Sequence, residues 1–378
     1  MKETRILLAS VLKPINDSRM FRKLGLSLAK LPQTQIQIVG YAAPKPVAPE
    51  NISFYPLFRF KRLSINRFLS SWRYFKLLLQ VSPAVIIIGT HELLPATLLY
   101  KIFRKCRVVY DIRENYYLNL TTQGIYSPGL SRLLANIIRL TERLTAPFID
   151  YFFLAEKSYA TELPFLKEKY LILENKYQPA APPINNDLSS AGQKISAKEI
   201  NLLYSGTISE LYGVFWAINL LEALNQVAPI FRLTIIGYCP QPEVLIKLKN
   251  RIAANSSINL IGGDYLVPHA DILAAIQNSH VGLLPYQPHP STFNCVPTKL
   301  FEYLGNALPV IIQRNPLWEE LIRQYEAGLN INFQNFDAPA IYATLINQIF
   351  YGHKNLNTVF WQTEEEKLLH WAQTILPI

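Results

Sequence analysis

The sequence predicts an α/β protein of two tandem doubly wound (Rossmann-like) domains, on three observations. Short continuous Val/Ile/Leu runs alternate with longer stretches of helical period, the pattern of parallel strands buried on both faces. The alternation stops in a segment rich in Pro, Ser, Asn and Ala near residues 178–200 and then begins again. A chain of 378 residues with 50% hydrophobic and 17% charged content is also large and apolar enough for two cores.

In chain order, the first half offers strands at RILLAS (5–10), IQIVGY (36–41), AVIIIG (84–89), RVVYDI (107–112) and YFFLA (151–155). After the Pro-rich segment come INLLYSG (200–206), a helix over 214–227, RLTIIGY (232–238), a helix over 241–253 and INLIG (258–262). A helix over 270–279, HVGLLPY (280–286), a helix from about 297 and ALPVII (307–312) complete the second half. These boundaries give a first domain over 1–180, a linker over 181–199 and a second domain over 200–356. The final stretch 357–378 reads as a helix with three consecutive acids, Glu364 to Glu366, which either packs back on the first domain or closes the second.

Charge divides along the same line. Residues 1–180 carry 26 Lys and Arg against 12 Asp and Glu, whereas residues 181–378 carry 11 against 15. A basic first half points to an anionic partner. Within it, residues 51–91 contain no acid, and 57–79 interleave Arg59, Lys61, Arg62, Arg67, Arg73 and Lys76 with aromatic residues. That pattern suits an anionic membrane surface better than nucleic acid; the alternative is that the aromatics are core and the basic residues a solvated face. The most apolar window, 84–103, is interrupted by Gly89, His91, Glu92 and Pro95, so it does not predict a membrane span. Cys106, Cys239 and Cys295 lie too far apart for a CxxC motif, and the start of the chain has no signal-peptide pattern, so a cytoplasmic location at the inner face of the cell membrane is expected.

The motifs exclude several chemistries. No GxG pair occurs, which removes the dinucleotide fingerprint and the Walker A loop, and no HExxH, GxSxG or DxD is present. No cofactor and no metal are therefore expected. What remains lies in the second half. GTISELYG (206–213) follows a strand and opens a helix, placing Gly206 beside helical N–H groups able to meet a phosphate. FNCVPTKLFEYLGNALPVI (293–311) puts Pro297 at a helix start and Lys299 and Glu302 on one helix face. A cation for phosphate beside an acid for sugar hydroxyls suits a nucleotide sugar; the alternative is an ordinary surface Lys–Glu pair.

PTKLFEYLGNALPVI resembles the signature segment of the retaining glycosyltransferases of family 4, which have the GT-B fold. NDSRMFRKLGLSLAK (16–30) is similar to the first helix of that family, and LYSGTISELYG (203–213), LTIIGYCP (233–240) and VGLLPY (281–286) to successive strand ends of its nucleotide-binding domain. The resemblance implies a metal-independent, retaining transferase of hexosyltransferase type. It would move a sugar from a nucleotide-sugar donor to a cell-surface polysaccharide or lipid-linked acceptor. It assigns donor binding to Gly206, Thr207, Gly237, Tyr238, Asn294, Pro297, Thr298, Lys299 and Glu302, with Glu302 on the ribose and Lys299 near the diphosphate. His91, Arg113 and Glu114, with Asp111, would come from strand ends of the first domain, and His91, Arg113, Glu114 and Lys299 would act in catalysis. For His91 and Glu114, helix capping or a buried hydrogen bond is the alternative.

The sequence departs from the family at Thr207 and Tyr212, where diphosphate cations are expected, at Asn294, where a Glu is common, and at Arg113, where a His is usual. Thr207, Tyr212 and Arg113 keep open the reading of a catalytically weakened GT-B binding or partner subunit; a nucleotide-sugar epimerase is a further alternative, against which the basic first half speaks.

Overall fold

Every apolar run that the sequence marks as a strand lies in one of two parallel sheets. The computed structural model describes residues 3–60, 66–124, 126–179, 192–352 and 354–375, the side chains of 66–69 excepted. One unit runs to Gln178 and resumes at Trp361; the other runs from Pro179 to Phe360.

The first unit holds β1 (Thr4–Pro14), β2 (Thr34–Tyr41), β3 (Ile52–Phe58), β4 (Val85–Ile88), β5 (Arg107–Ile112), β6 (Tyr151–Leu154) and β7 (Tyr170–Ile172). Their spatial order is β3-β2-β1-β4-β5-β6-β7, parallel throughout. The order reverses between β1 and β4, and the carboxyl ends of strands at such a reversal are where open α/β sheets receive ligands. Right-handed crossovers put the helices made before and after the reversal on opposite faces. The π-helix Ser18–Gly25 begins at Asp17, whose carboxylate accepts the Met20 amide at 2.8 Å.

The returning segment closes the same face as this π-helix. Trp361 donates its indole N–H to Ser27 at 2.9 Å, and Trp371 meets Phe153 edge-on at 4.8 Å. Leu368, Trp371 and Ala372 of the Gln362–Ile375 helix join the core of the first unit. Of its three consecutive acids, Glu364 is fully buried and accepts from Lys176 at 2.7 Å and Lys367 at 2.9 Å, so a buried carboxylate is matched by two cations.

The second unit holds β8 (Gln193–Lys194), β9 (Ile200–Ser205), β10 (Phe231–Tyr238), β11 (Ile258–Gly263), β12 (Val281–Leu284), β13 (Val310–Gln313), β14 (Gly328–Ile331) and β15 (Ile349–Phe350). Its main sheet runs β11-β10-β9-β12-β13-β14 and reverses between β9 and β12. β8 pairs antiparallel with β15. The expected linker 181–199 therefore contains one short strand of this unit, while its residues 181–191 lie outside the described residues.

The basic and aromatic stretch 57–79 divides. Phe58 and Tyr74 are core residues, whereas Trp72 points outward, 59% exposed, with Arg73 and Lys76 exposed beside it. Lys61, Arg62 and the side chains of Arg67 and Phe68 lie outside the described residues. Among the described residues no helix is long and apolar enough to cross a membrane.

Candidate functional site

In the second unit the candidate residues gather at the reversal between β9 and β12. Gly206 follows β9 with φ of 92°, and a Cβ placed there would lie 2.0 Å from Lys299 Cε. Gly237, one strand over, would bring a Cβ within 1.6 Å of the Gly206 carbonyl oxygen. Only glycine leaves this space, and the Lys299 side chain runs into it. Tyr204 donates to the Thr207 carbonyl at 3.0 Å, and Ser205 and Tyr303 share a hydrogen bond of 2.8 Å, which ties the end of β9 to the Thr298–Gly305 helix.

Lys299 is half-buried. Its ammonium donates to the Tyr286 hydroxyl at 3.3 Å and stands 5.8 Å from the ring centres of both Tyr212 and Tyr286. The two rings pack at 4.6 Å. Tyr212, one of the positions where a family cation is missing, thus helps to form an aromatic seat for the remaining one. Desolvation lowers the Lys299 pKa to about 8, partly opposed by the charge of Glu302. Glu302 is 13% exposed and accepts from His269 Nε2 at 2.9 Å. Lys299 and Glu302 are thus more enclosed than a surface pair on a helix face, and their partners come from other elements.

Pro297 is the N-cap of the Thr298–Gly305 helix and gives no side-chain cap to its first amides. The turn before it is fixed by Asn315, which donates to the Phe293 carbonyl at 2.7 Å, and by Trp318, whose indole N–H donates to the Cys295 carbonyl at 2.8 Å. Asn294 ends the short Pro290–Phe293 helix and is exposed, as is Tyr238 at the end of β10. The loop after Gly206 leads into a helix at the expected bounds. The Val214–Val227 helix starts beyond it, and the amides of Gly206, Ile208, Gly213 and Val214 donate to the carbonyls of Ile236, Tyr238, Glu210 and Ser209. The uncapped start of the Thr298–Gly305 helix, which carries Lys299, adds N–H groups able to meet a phosphate.

In the first unit the reversal between β1 and β4 carries a closed ionic cluster. Arg19 grips Asp111 through Nε at 3.0 Å to both oxygens and through a second nitrogen at 2.7 Å. Arg113 bridges Asp111 and Asp17, 2.9 Å from each. Arg19 also donates to the Leu173 carbonyl at 2.8 Å and to Asn175 at 2.9 Å. Burial alone would raise the pKa of Asp111, but Arg19 and Arg113 outweigh it and hold the carboxyl below its ordinary value. Asp17 is lowered in the same way, burial being outweighed by Arg113, the Met20 amide and Lys13.

Arg113, which the family resemblance assigns to catalysis, is enclosed by this cluster. Its side chain is 7% exposed, lies against Gly89 and is neutralised by two carboxylates. Glu114 is more open and takes Lys13 at 3.4 Å and Asn119 at 3.3 Å. His91 begins the His91–Leu93 turn after β4 and meets the Tyr116 ring edge-on at 4.9 Å. Sequence reasoning missed His269 and Tyr286, which lie 33 and 13 positions from their partners. It noted Asp17 and Arg19 only as a helix start.

Neither a family model nor a curated protein sequence matches the chain. Solved structures do. Sucrose-phosphate synthase from Thermosynechococcus elongatus aligns over 99% of both chains with a TM-score of 0.69 at 14% identity. HepE from Anabaena, solved with UDP, aligns over 99% of this chain and 100% of its own, with a TM-score of 0.64 at 11% identity. WaaG, a glycosyltransferase involved in lipopolysaccharide biosynthesis, aligns over 98% and 95% with a TM-score of 0.59 at 14% identity. Two parallel sheets, of seven and six strands, and alignment along the full chain give this protein the GT-B fold.

Proposed function

We propose that the protein is a metal-independent, retaining glycosyltransferase that moves a sugar from a nucleotide-sugar donor to a cell-surface polysaccharide or lipid-linked acceptor. The observation that carries this reading is the pairing of Lys299 and Glu302 on one uncapped helix start, with the Lys299 side chain laid against the Gly206 backbone at the end of β9. The ammonium and the helix N-terminus match the charge of a diphosphate, and the carboxylate accepts from ribose hydroxyls. Similar folds solved with UDP-glucose and with glucose 6-phosphate lend support to a donor and a sugar acceptor of these classes.

In such a reaction the acceptor oxygen bonds the anomeric carbon on the face from which the phosphate oxygen departs, and that oxygen takes the acceptor proton. The protein then mainly positions the reactants and stabilises the leaving diphosphate, which Lys299 and the helix N-terminus do without a metal. His91 and Glu114 are proposed as acceptor-domain groups, with Arg113 positioning the loop that carries Glu114. The basic character of the first half supports a cytoplasmic protein held peripherally at the inner face of the cell membrane.

A second reading, a weakened binding or partner subunit, is favoured by Tyr212, which leaves Lys299 as the cation of the cluster. Calorimetric titration with a panel of nucleotide sugars, followed by product analysis with and without chelator, separates the two. Donor binding with transfer or slow hydrolysis in chelator supports the transferase. Binding without any turnover supports the partner subunit, and activity that is lost in chelator and restored by magnesium or manganese overturns metal independence.

A further inference from the structure

The Pro128–Thr145 helix is built inside out. An amphipathic helix on a sheet normally turns its apolar stripe inward. Here the buried positions are Ser131, Ala135 and Glu142, while Leu130, Leu133, Ile137, Leu140 and Leu144, spaced three and four apart, face outward at 44–64% exposure. Its polar side is locked in place: Tyr110 donates to Glu142 at 3.0 Å, and Arg139 donates to Asn115 at 2.7 Å. Rotating the helix to hide its leucines would break these bonds, one buried and one partly buried, so the apolar stripe is held in the open.

The stripe is not isolated. Phe148 follows it, and Ile102 and Phe103 at the end of the adjoining Leu94–Phe103 helix are 76% and 68% exposed. Next to that helix packs Asn66–Val81, with Trp72 outward. The exposed charges on and directly after these three helices include Arg73, Lys76, Arg104, Lys105, Arg132 and Arg143. The helices themselves contain one acid, the buried Glu142, and Asp150, just past Phe148, is held by Lys101 at 2.6 Å. A contiguous apolar surface edged by one sign of charge marks an interaction site.

We infer that this face of the first unit, with the Pro128–Thr145 helix lying flat in the interface, docks on an anionic lipid bilayer. The charge selects the occupant: two copies meeting through this face would set arginine against arginine, whereas acidic headgroups complement the basic residues and the bilayer edge takes the leucines and Phe103. At 18 residues the helix is about 27 Å long, which allows its whole stripe to engage at one depth. The inference deepens and rests on the peripheral-membrane part of the proposed function, and it is independent of the transfer chemistry.

The test is co-sedimentation of the full chain with vesicles of phosphatidylcholine and of phosphatidylcholine mixed with phosphatidylglycerol. Binding is expected to the mixed vesicles and to weaken with salt. The triple variant Leu133→Gln, Ile137→Gln, Leu140→Gln should bind about ten-fold or more weakly, with unchanged melting temperature and nucleotide affinity. Ile137→Trp should show a blue-shifted emission on binding. If the glutamine variant binds as well as the parent while Arg62→Glu, Arg67→Glu, Arg73→Glu loses binding, the peripheral reading stands and the Pro128–Thr145 helix is not the membrane contact, which overturns the inference. If the parent binds neither vesicle, both fail. A dimer in analytical ultracentrifugation that the glutamine variant dissolves would assign the face to a second copy and overturn the lipid assignment.

Discussion

At the strand ends of the first unit, Asp17, Arg19, Asp111 and Arg113 spend their charges on one another, whereas at those of the second unit Lys299 and Glu302 each turn to a neutral-capable side chain, a tyrosine and a histidine. Both clusters sit beside a sheet reversal; Asp111 and Arg113 were legible at a strand end, Lys299 and Glu302 on a helix face. They differ in what their charge is free to do. Two arginines and two carboxylates that saturate each other form a structural clamp, and breaking it leaves an ion buried without a partner. A lysine whose nearest neighbours are aromatic rings keeps its charge for a ligand at the cost of a lowered pKa. Position at a strand end therefore marks a candidate, and the partner count separates binding group from brace.

The comparison breaks most readily at Asp111. Asp111→Ala strands Arg19 and Arg113 in the interior and should cost about 3–5 kcal/mol, lowering the melting temperature by roughly 10 °C. A melt unchanged within error would show that the cluster is no clamp.

The second unit should respond in the opposite sense. Glu302→Ala and Lys299→Met each remove about 1.5–3 kcal/mol of donor binding, or ten- to a hundred-fold in affinity. Lys299→Met also removes a desolvated charge and should leave the melting temperature level or raised. Titration calorimetry beside thermal melts reads both, and a large drop in melting temperature with normal donor affinity would move Lys299 to the structural class.

The lowered pKa gives a pH signature. Below about 8 Lys299 is charged and matches the diphosphate, so nucleotide affinity should decline as pH rises through 8. Stability moves the other way: between 8 and the ordinary lysine value the unfolded chain binds more protons than the folded one, so this residue's cost to stability, present below 8, is relieved as pH rises. Lys299→Arg should abolish the affinity decline, because an arginine stays charged throughout the range.

Smaller effects are expected at the two histidines. His269→Ala frees Glu302 to wander and should weaken donor binding several-fold, about 1 kcal/mol, with His269→Gln recovering part of it. His91→Ala should lower turnover more than donor affinity, and loss of melting temperature at normal specific activity would make His91 a packing residue against Tyr116.

Much of the architecture was written locally. Continuous apolar runs marked the central strands of both sheets, and the helix over 214–227 was found at the bounds it has in the fold. Of the four edge strands β11 was read from INLIG, while β3, β7 and β14 escaped, because each is partly solvated and lacks a continuous apolar run; β3 even contains Pro56. The segment holding Lys299 and Glu302 was legible by its motif and its spacing on one helix face. The state of those side chains was not.

Tertiary structure alone decided that Arg113 pairs with Asp17 across 96 positions, that His269 reaches Glu302 and that Lys299 fills the space kept by Gly206. It also decided which way the Pro128–Thr145 helix faces. Periodicity shows that a helix has an apolar side but carries no sign for inward or outward, since both orientations give the same repeat. The sign comes from the bonds of Glu142 and Arg139, whose partners Tyr110 and Asn115 stand elsewhere in the chain. The sequence thus determined the strands, the helices and the charged candidates, because these follow from neighbours a few residues apart. Which charges are neutralised and which surfaces stay open depends on residues that only folding brings together.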